Sequence, residues 1–311
     1  MTRARYFIGR VLRAWLTVAF VATFVFGIVH FLPGDPVDVI LGDQATAEDR
    51  EALRHALHLD ESLPRQFGRF VSSIFDGTLG TSFRRHPETV AELIADAMQP
   101  TILLALSSLA LAWAIALPLG VLAAESRGGP GDRIAMFFAA LGLAIPNIWL
   151  GPLLILVFAV KLGFLPIPGD DASGALGLVL PSITLGTSLA AILTRQIRGS
   201  LREVLDQAYV VAARARGVGK LGVLLKHGLP NALLPVLTLG AAQLGALLSG
   251  AVVAEKIFER PGLGTLFLEA FFARDLPVVQ GCVLVIATIY VSVNLALDLV
   301  YGLVDPRAEV S

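Results

Sequence analysis

An all-α membrane protein with six transmembrane helices is the fold class that the sequence predicts, and three observations predict it. Of 311 residues, 55% are hydrophobic and 16% charged, against the ~25% charge usual for soluble domains, and the mean hydropathy is +0.74. Six mostly apolar runs reach the ~20 residues that a helix needs to cross a bilayer: Val11–Phe31, Thr101–Ala124, Ile134–Val160, Leu176–Leu193, Ala232–Ala254 and Val278–Val300. Lys and Arg gather in the short segments on one side of these runs, which sets an orientation. The net charge of −1 supplies no field for nucleic acid.

The first run follows Arg3, Arg5, Arg10 and Arg13. It is longer than a signal-peptide core and has no small-residue cleavage site before Leu32-Pro33-Gly34-Asp35, so it reads as a retained helix. The basic amino terminus then lies in the cytoplasm, and six spans return the carboxyl terminus to the same side.

Residues 33–99 fall outside, with twelve acids against six Arg, and read as a small helical segment. Thr46 and Asp49 form a capping box for a helix expected to bury Leu53, Ala56 and Leu57. Phe67, Phe70, Val71, Ile74 and Phe75 make one helix face. Pro87 can open a third helix with Val90, Leu93, Ile94 and Ala97 on one side, and Gly77 and Gly80 mark the turn between. His55 and His58, near Glu51 and Asp60, could be imagined as metal ligands, but such a pair on a charged face reads as solvated, so no metal site is expected.

Within the spans, Pro118 and Pro146 predict kinks, and Pro181 and Gly186 interrupt the fourth run. In the fifth, Ala241, Gly245 and Ser249 repeat at four-residue spacing beside Ala242, Ala246 and Gly250, two stripes that admit close helix approach. One suits contact within the chain, the other a second membrane subunit. Cys282, the lone cysteine, reads as a small packing residue. Polar residues are few: Asn147, Gln243 and Asn294 are candidates to line a path or to hydrogen-bond neighbouring helices. The third and fifth runs hold no charge and the sixth only Asp298, which argues against a proton-driven transporter. No catalytic cluster stands at membrane depth, so an intramembrane enzyme is not expected. Gly217-Val218-Gly219-Lys220-Leu221 lacks the spacing and hydroxyl of a phosphate-cradling loop.

Between the fourth and fifth runs, a helical pattern from Arg195 to Leu229 breaks at Gly217-Val218-Gly219. The helix before the break is thin, with Ala208, Ala212, Ala213 and Ala215, and basic, with Arg214, Arg216 and Lys220 close after. Such a helix suits a groove on another protein or a layer of anionic lipid.

Ala213-Arg-Ala-Arg-Gly217, with His227, Asn231-Ala232 and Pro235, resembles the cytoplasmic loop of the membrane subunits of ABC importers, in the dipeptide, oligopeptide and nickel permease family. Leu32-Pro-Gly-Asp-Pro36, Gly77-Thr-Leu-Gly-Thr-Ser82, Pro118-Leu-Gly-Val-Leu-Ala-Ala124, Ile145-Pro146, Trp149-Leu-Gly151, Gly163-Phe-Leu-Pro166, Pro261-Gly-Leu-Gly264, Arg274-Asp-Leu-Pro-Val-Val-Gln-Gly281 and Asp305-Pro-Arg307 extend the likeness over nearly the whole chain. The external segment after the first span resembles that of the B-type subunit.

The resemblance implies a type I importer permease fold in a single transmembrane domain, 1–311, with 33–99 extracytoplasmic and 195–230 a cytoplasmic loop. In that loop Ala212, Ala213, Arg214, Ala215, Arg216 and Gly217 would form the coupling helix that docks on the ATPase. It implies half of a translocation path for short peptides across the bacterial inner membrane, with nickel, glutathione or haem as other cargoes. The chain itself would be no enzyme and hold no cofactor, because ATP and Mg would be bound by partners. Those partners would be a homologous permease, two ATP-binding subunits or one fused ATPase, and an external substrate-binding protein. Pro261, Gly262, Gly264 and Phe267, in a hairpin with an apolar face of Leu263, Leu266, Phe267, Ala270 and Phe271, would lie at the external mouth or rest on lipid. One departure stands out: many ABC importers carry Glu-Ala-Ala where this chain has Val211-Ala212-Ala213. The other class of function is a secondary transporter or channel acting alone.

Overall fold

The computed structural model describes residues 3–30, 34–42, 45–169 and 174–304, so Leu32, Pro33 and Asp305-Pro-Arg307 lie outside the described residues. In chain order the helices are α1 (Arg3–His30), α2 (Pro36–Leu41), α3 (Ala47–Ala56), α4 (Leu63–Phe75), α5 (Val90–Ser126), α6 (Pro130–Ala144), α7 (Asn147–Leu154), α8 (Val179–Leu205), α9 (Ala208–Ala215), α10 (Lys220–Val223), α11 (Leu229–Ile257), α12 (Leu263–Phe272) and α13 (Leu276–Val304). Wider π-type turns continue α7 through Ile155–Lys161 and join α10 to α11 through Leu224–Gly228. The extended pairing seen among the described residues is a single bridge between Thr81 and Thr89.

Contacts divide the chain into two compact units, Met1–Thr101 with Pro261–Ser311, and Ile102–Arg260. The boundary falls inside α5, so each unit is described with its own part of that helix.

In the first unit α1 leaves Leu12, Leu16, Phe20 and Phe24 bare at four-residue spacing, an apolar stripe that suits lipid and that a soluble protein rarely exposes. Its other side takes Phe70, Phe67, Val71 and Ile74 of α4, with Ala22 and Leu284 beneath and Phe26 at 5.1 Å from the Phe67 ring. Phe75 departs from the expected face and is 77% exposed, at the last position of α4. The Thr46 and Asp49 box is formed as expected, yet α3 buries nothing: Leu53 and Leu57 are half-covered and Ala56 is exposed. Val90, Leu93, Ile94 and Ala97 are buried against Val25, Leu263 and Val278. They do not belong to a separate helix opened by Pro87. They are the first turns of α5, which starts at Val90 behind a second box in which Thr89 N–H donates to Glu92 at 3.0 Å and Glu92 N–H donates back to Thr89 at 3.3 Å. At 37 residues and ~1.5 Å per residue, α5 exceeds any bilayer core. Cys282 is fully buried in this packing, and Arg10 pairs with Asp298, which gives the sixth run's acid its partner.

The second unit is built around α8, the apolar stretch of which is 56% buried, against 6%, 28% and 33% in α1, α5 and α13. Leu185, Leu189, Leu193 and Ile197 meet Leu104, Ala112, Ala116, Val236 and Leu247. Glycines set the closeness: a β-carbon at Gly120 would stand 2.6 Å from Ile197, and one at Gly186 2.9 Å from the Ser108 carbonyl. Gly240 of α11 likewise admits Trp113. Pro118 does not interrupt α5, and Pro181 and Gly186 do not interrupt α8.

Four helices, Ile8–His30, Val90–Ser126, Leu176–Leu205 and Leu276–Leu299, are long and apolar enough to cross a membrane singly. The fifth run lies in α11. The third is two helices bent by 99°, at the kink expected from Pro146. Proline explains it: the ring of Pro146 disfavours helix at the preceding residue, and Ile145 is extended at φ −88 and ψ 116.

Candidate functional site

The basic segment folds as a short helix hung from α8. That helix continues twelve residues past the apolar run, to Leu205, and α9 begins at Ala208 after a turn with Gln207 at its N-cap. The alanines keep α9 thin, and Gly217 ends it. With φ at +84, Gly217 adopts the left-handed conformation that closes a helix at little cost only in glycine. Its N–H donates to the Arg214 carbonyl at 2.9 Å and Val218 N–H donates to that of Ala213 at 3.2 Å. This double bond pattern is the Schellman motif, and it turns the chain back toward α11.

One side of α9 is seated. Val210 and Ala213 are fully buried, and Val210 packs in a cluster with Ala124, Leu201, Leu205, Val223, Leu224 and Ala232. The other side is bare, with Tyr209, Val211, Ala212, Arg214, Ala215, Arg216 and Gly217 exposed. Five of the six expected docking residues therefore share the outer surface, and Ala213 does not: it props the helix from within. A cleft of about 330 Å³ runs beside it, lined by Glu125, Arg127, Arg214, Val218 and Lys220. Val211, 54% exposed, presents an apolar surface on this outer side. On the far side of the turn Asn231 Nδ2 donates to the His227 carbonyl at 3.0 Å, which accounts for both residues as supports.

Above α9, a group that the sequence reading missed fastens the helix ends. Asp132, on the first turn of α6 and 3% exposed, accepts from Arg198 Nε at 2.6 Å and Nη2 at 3.0 Å, from Arg202 Nη2 at 2.6 Å, and from the Gly128 N–H at 2.9 Å. Arg202 Nη2 also donates to the Ala123 carbonyl at 3.0 Å. The available signal was Arg198 and Arg202, four apart on one helix face.

The candidate path residues belong to both units. Asn147, half-buried, opens α7 at the bend, and Gln243 is half-buried on α11. Asn294 sits in the other unit, where its amide donates to the Tyr290 carbonyl of its own helix at 2.8 Å. At the external candidates, Gly262 and Gly264 are buried, Phe267 is half-buried, and Pro261 is exposed. Leu263 N–H donates to Thr101 Oγ1 at 2.8 Å, and Leu263, Leu266, Phe267, Ala270 and Phe271 all join the core of their unit. In the same unit Asp275, 4% exposed, receives the Ser82 hydroxyl and the Phe83 N–H, pinning the 82–84 loop.

His55 Nδ1 lies 2.7 Å from Asp60 and His58 Nδ1 3.4 Å from Glu61. His30 bridges the Phe26 carbonyl and Gln66. Among the described residues no group of three or more His, Cys, Asp or Glu side chains is arranged to hold a metal.

Two family models match the chain: the inner membrane component of binding-protein-dependent transport systems over residues 116–310, and the N-terminal part of such components over residues 3–105. The glutathione transport system permease protein GsiC of Pectobacterium atrosepticum is 42% identical over 302 residues, 97% of each chain. That of Escherichia coli strain K12 is 40% identical over the same share. Among solved structures, the MetNI methionine ABC transporter in an inward-facing conformation matches 68% of this chain and 96% of its own, with a TM-score of 0.56 at 22% identity. An amino acid ABC transporter matches 70% and 94%, with a TM-score of 0.52 at 17% identity. The last two speak for the type I fold alone. Matched family models along most of its length, and relatives at 40 to 42% identity over 97% of it, show that the chain belongs to the membrane permeases of binding-protein-dependent ABC importers, of the dipeptide, oligopeptide and nickel type.

Proposed function

We propose that this chain is the B-type half of the membrane pathway of an importer for short peptides, glutathione among them, and that α9 is its coupling helix. The observation that carries the coupling role is a helix with one side seated on the permease, the other bare, and a glycine turn that fixes its end. The bundle crosses the bacterial inner membrane six times with both termini in the cytoplasm, and α9 faces the cytoplasm too. A homologous permease completes the pathway, an external binding protein delivers cargo, and two ATP-binding subunits or one fused ATPase bind ATP and Mg. Closure of the ATPase pair displaces α9, and the bundle alternates between inward-open and outward-open states. Ala212, Arg214, Ala215, Arg216 and Gly217 make the contact. Exposed Val211 implies a partner groove that is apolar at that point, flanked by carboxylates for Arg214 and Arg216. Asn147, Gln243 and Asn294 line the path, and the Pro261 to Phe267 stretch supports the external mouth. The glutathione relatives favour a γ-linked tripeptide within the short-peptide class.

Reconstituted with its partners in liposomes, the importer should accumulate glutathione or dipeptides only with ATP inside. Gly217→Trp, or Arg214→Glu with Arg216→Glu, should abolish uptake while the chain stays in the membrane. Uptake by this chain alone would make it a secondary transporter, and unchanged uptake by the variants would remove the coupling role. A cysteine placed at Arg216 should label from inside and one at Thr78 from outside.

A further inference from the structure

We propose that Asp132 is a positioning residue for transport: its carboxylate locks the cytoplasmic ends of α5, α6 and α8 into one rigid head, so that displacement of α9 reaches the bundle undiminished. The inference rests on the reading of α9 as the coupling helix.

The geometry is a single buried acid serving three segments. Arg198 grips both carboxylate oxygens in a fork, which fixes angle as well as distance. Arg202 holds the second oxygen and, through the same Nη2, the Ala123 carbonyl in the last turn of α5. Gly128 N–H binds from the turn between α5 and α6. A side chain at Gly131 would collide with Ser126, so the turn is drawn tight around the acid. Arg202 is six residues from the start of α9, and a second tie, Arg127 to Asp206 at 2.5 Å, sits at the joint itself. α9 rests through Val210 on an apolar cluster that includes Ala124 of α5 and Leu201 and Leu205 of α8, and the knot ties together the helix ends that carry this seat.

Stability alone is a poor account of it. A buried ion pair roughly offsets its own desolvation, and apolar residues of similar size hold helices together as well or better. What a forked, three-way charge contact adds is a fixed register, because a bidentate pair is specific in geometry where apolar contact is non-directional. The same knot placed at membrane depth would be costly; here it lies at the end of the apolar run, where the α8 extension leaves the core.

The test uses the full reconstituted importer with its ATPases and binding protein. Asp132→Asn should leave the ATPase subunits bound but lower the ratio of cargo imported to ATP hydrolysed by about tenfold, the scale of a coupling free energy between sites. Asp132→Glu should restore part of the ratio. Spin labels on α6 and on the cytoplasmic end of α8 should keep a constant separation between nucleotide-free and ATP-bound states in the native chain, and a variable one in Asp132→Asn. Arg198→Lys removes the fork while keeping the charge, and should show the same defect in milder form if Asp132→Asn does not assemble. An unchanged import-to-hydrolysis ratio in whichever variant assembles, or α6 and α8 separating in the native chain, would overturn the proposal. If Gly217→Trp uncouples and these variants do not, the knot fails while the coupling role stands; if Gly217→Trp leaves uptake intact, the coupling role itself fails.

Discussion

A side chain at Gly120 has no room, because its β-carbon would stand 2.6 Å from Ile197. Overpacking of this kind typically costs about 1 to 3 kcal/mol, so Gly120→Leu should lower the thermal midpoint in detergent, and an unchanged melting curve would contradict the α5 to α8 approach. Gly217 is the opposite case: nothing lies within 4 Å, and only its φ of +84 demands glycine. The sequence made Gly217 legible as a break, because glycine between two helical stretches has few other uses. It did not reveal that Ala213 faces inward, since in an alanine-rich stretch every face looks alike. Asp132 was harder still. Its main partner lies 66 positions away, and no local pattern announces a contact of that range.

Single helices were legible in proportion to how local their causes are. Both capping boxes depend on residues three apart, yet only Thr46 and Asp49 was foreseen, because Pro87 drew attention from Thr89 and Glu92. The bend of the third run was legible in Pro146, whereas Pro118 leaves α5 continuous, because a proline's effect on a helix depends on what packs around it. The external helices also make a pH prediction. Asp49 is held below the ordinary carboxylate range by the Thr46 hydroxyl, Glu61 by Arg69, Asp76 by the Thr78 hydroxyl, and Glu92 by the Thr89 N–H. A carboxyl with a depressed folded pKa binds protons more tightly when unfolded, so its stabilisation is present above about pH 4.5 and lost as pH falls through the folded values. Hydrogen exchange, corrected for intrinsic rate, should show α3 and the first turn of α5 less protected at about pH 3 than at about pH 6. Equal protection at both would mean that the caps contribute nothing.

At the scale of the molecule, the membrane class followed from composition and the family from motifs spread along the chain. The burial of α8 at the centre of its unit did not follow from either, since every span is apolar and only packing tells which is enclosed. The division of labour between charges also emerges only here. Arg214 and Arg216 stand in solvent, while the Asp132 carboxylate, with 5% of its side chain accessible, is sealed beneath Arg198 and Arg202.

That difference in depth makes ionic strength a selective reagent. Dissolved ions screen exposed charges over a Debye length of about 10 Å at 0.1 M and about 3 Å at 1 M, and act far less on buried ones. If α9 is the docking helix proposed above, a molar salt wash of membranes should strip ATPase subunits from its outer side while leaving the permease folded and ready to be recharged after dilution. Subunits that resist such a wash would show that their hold on this helix is apolar, through Tyr209 and Val211, rather than electrostatic.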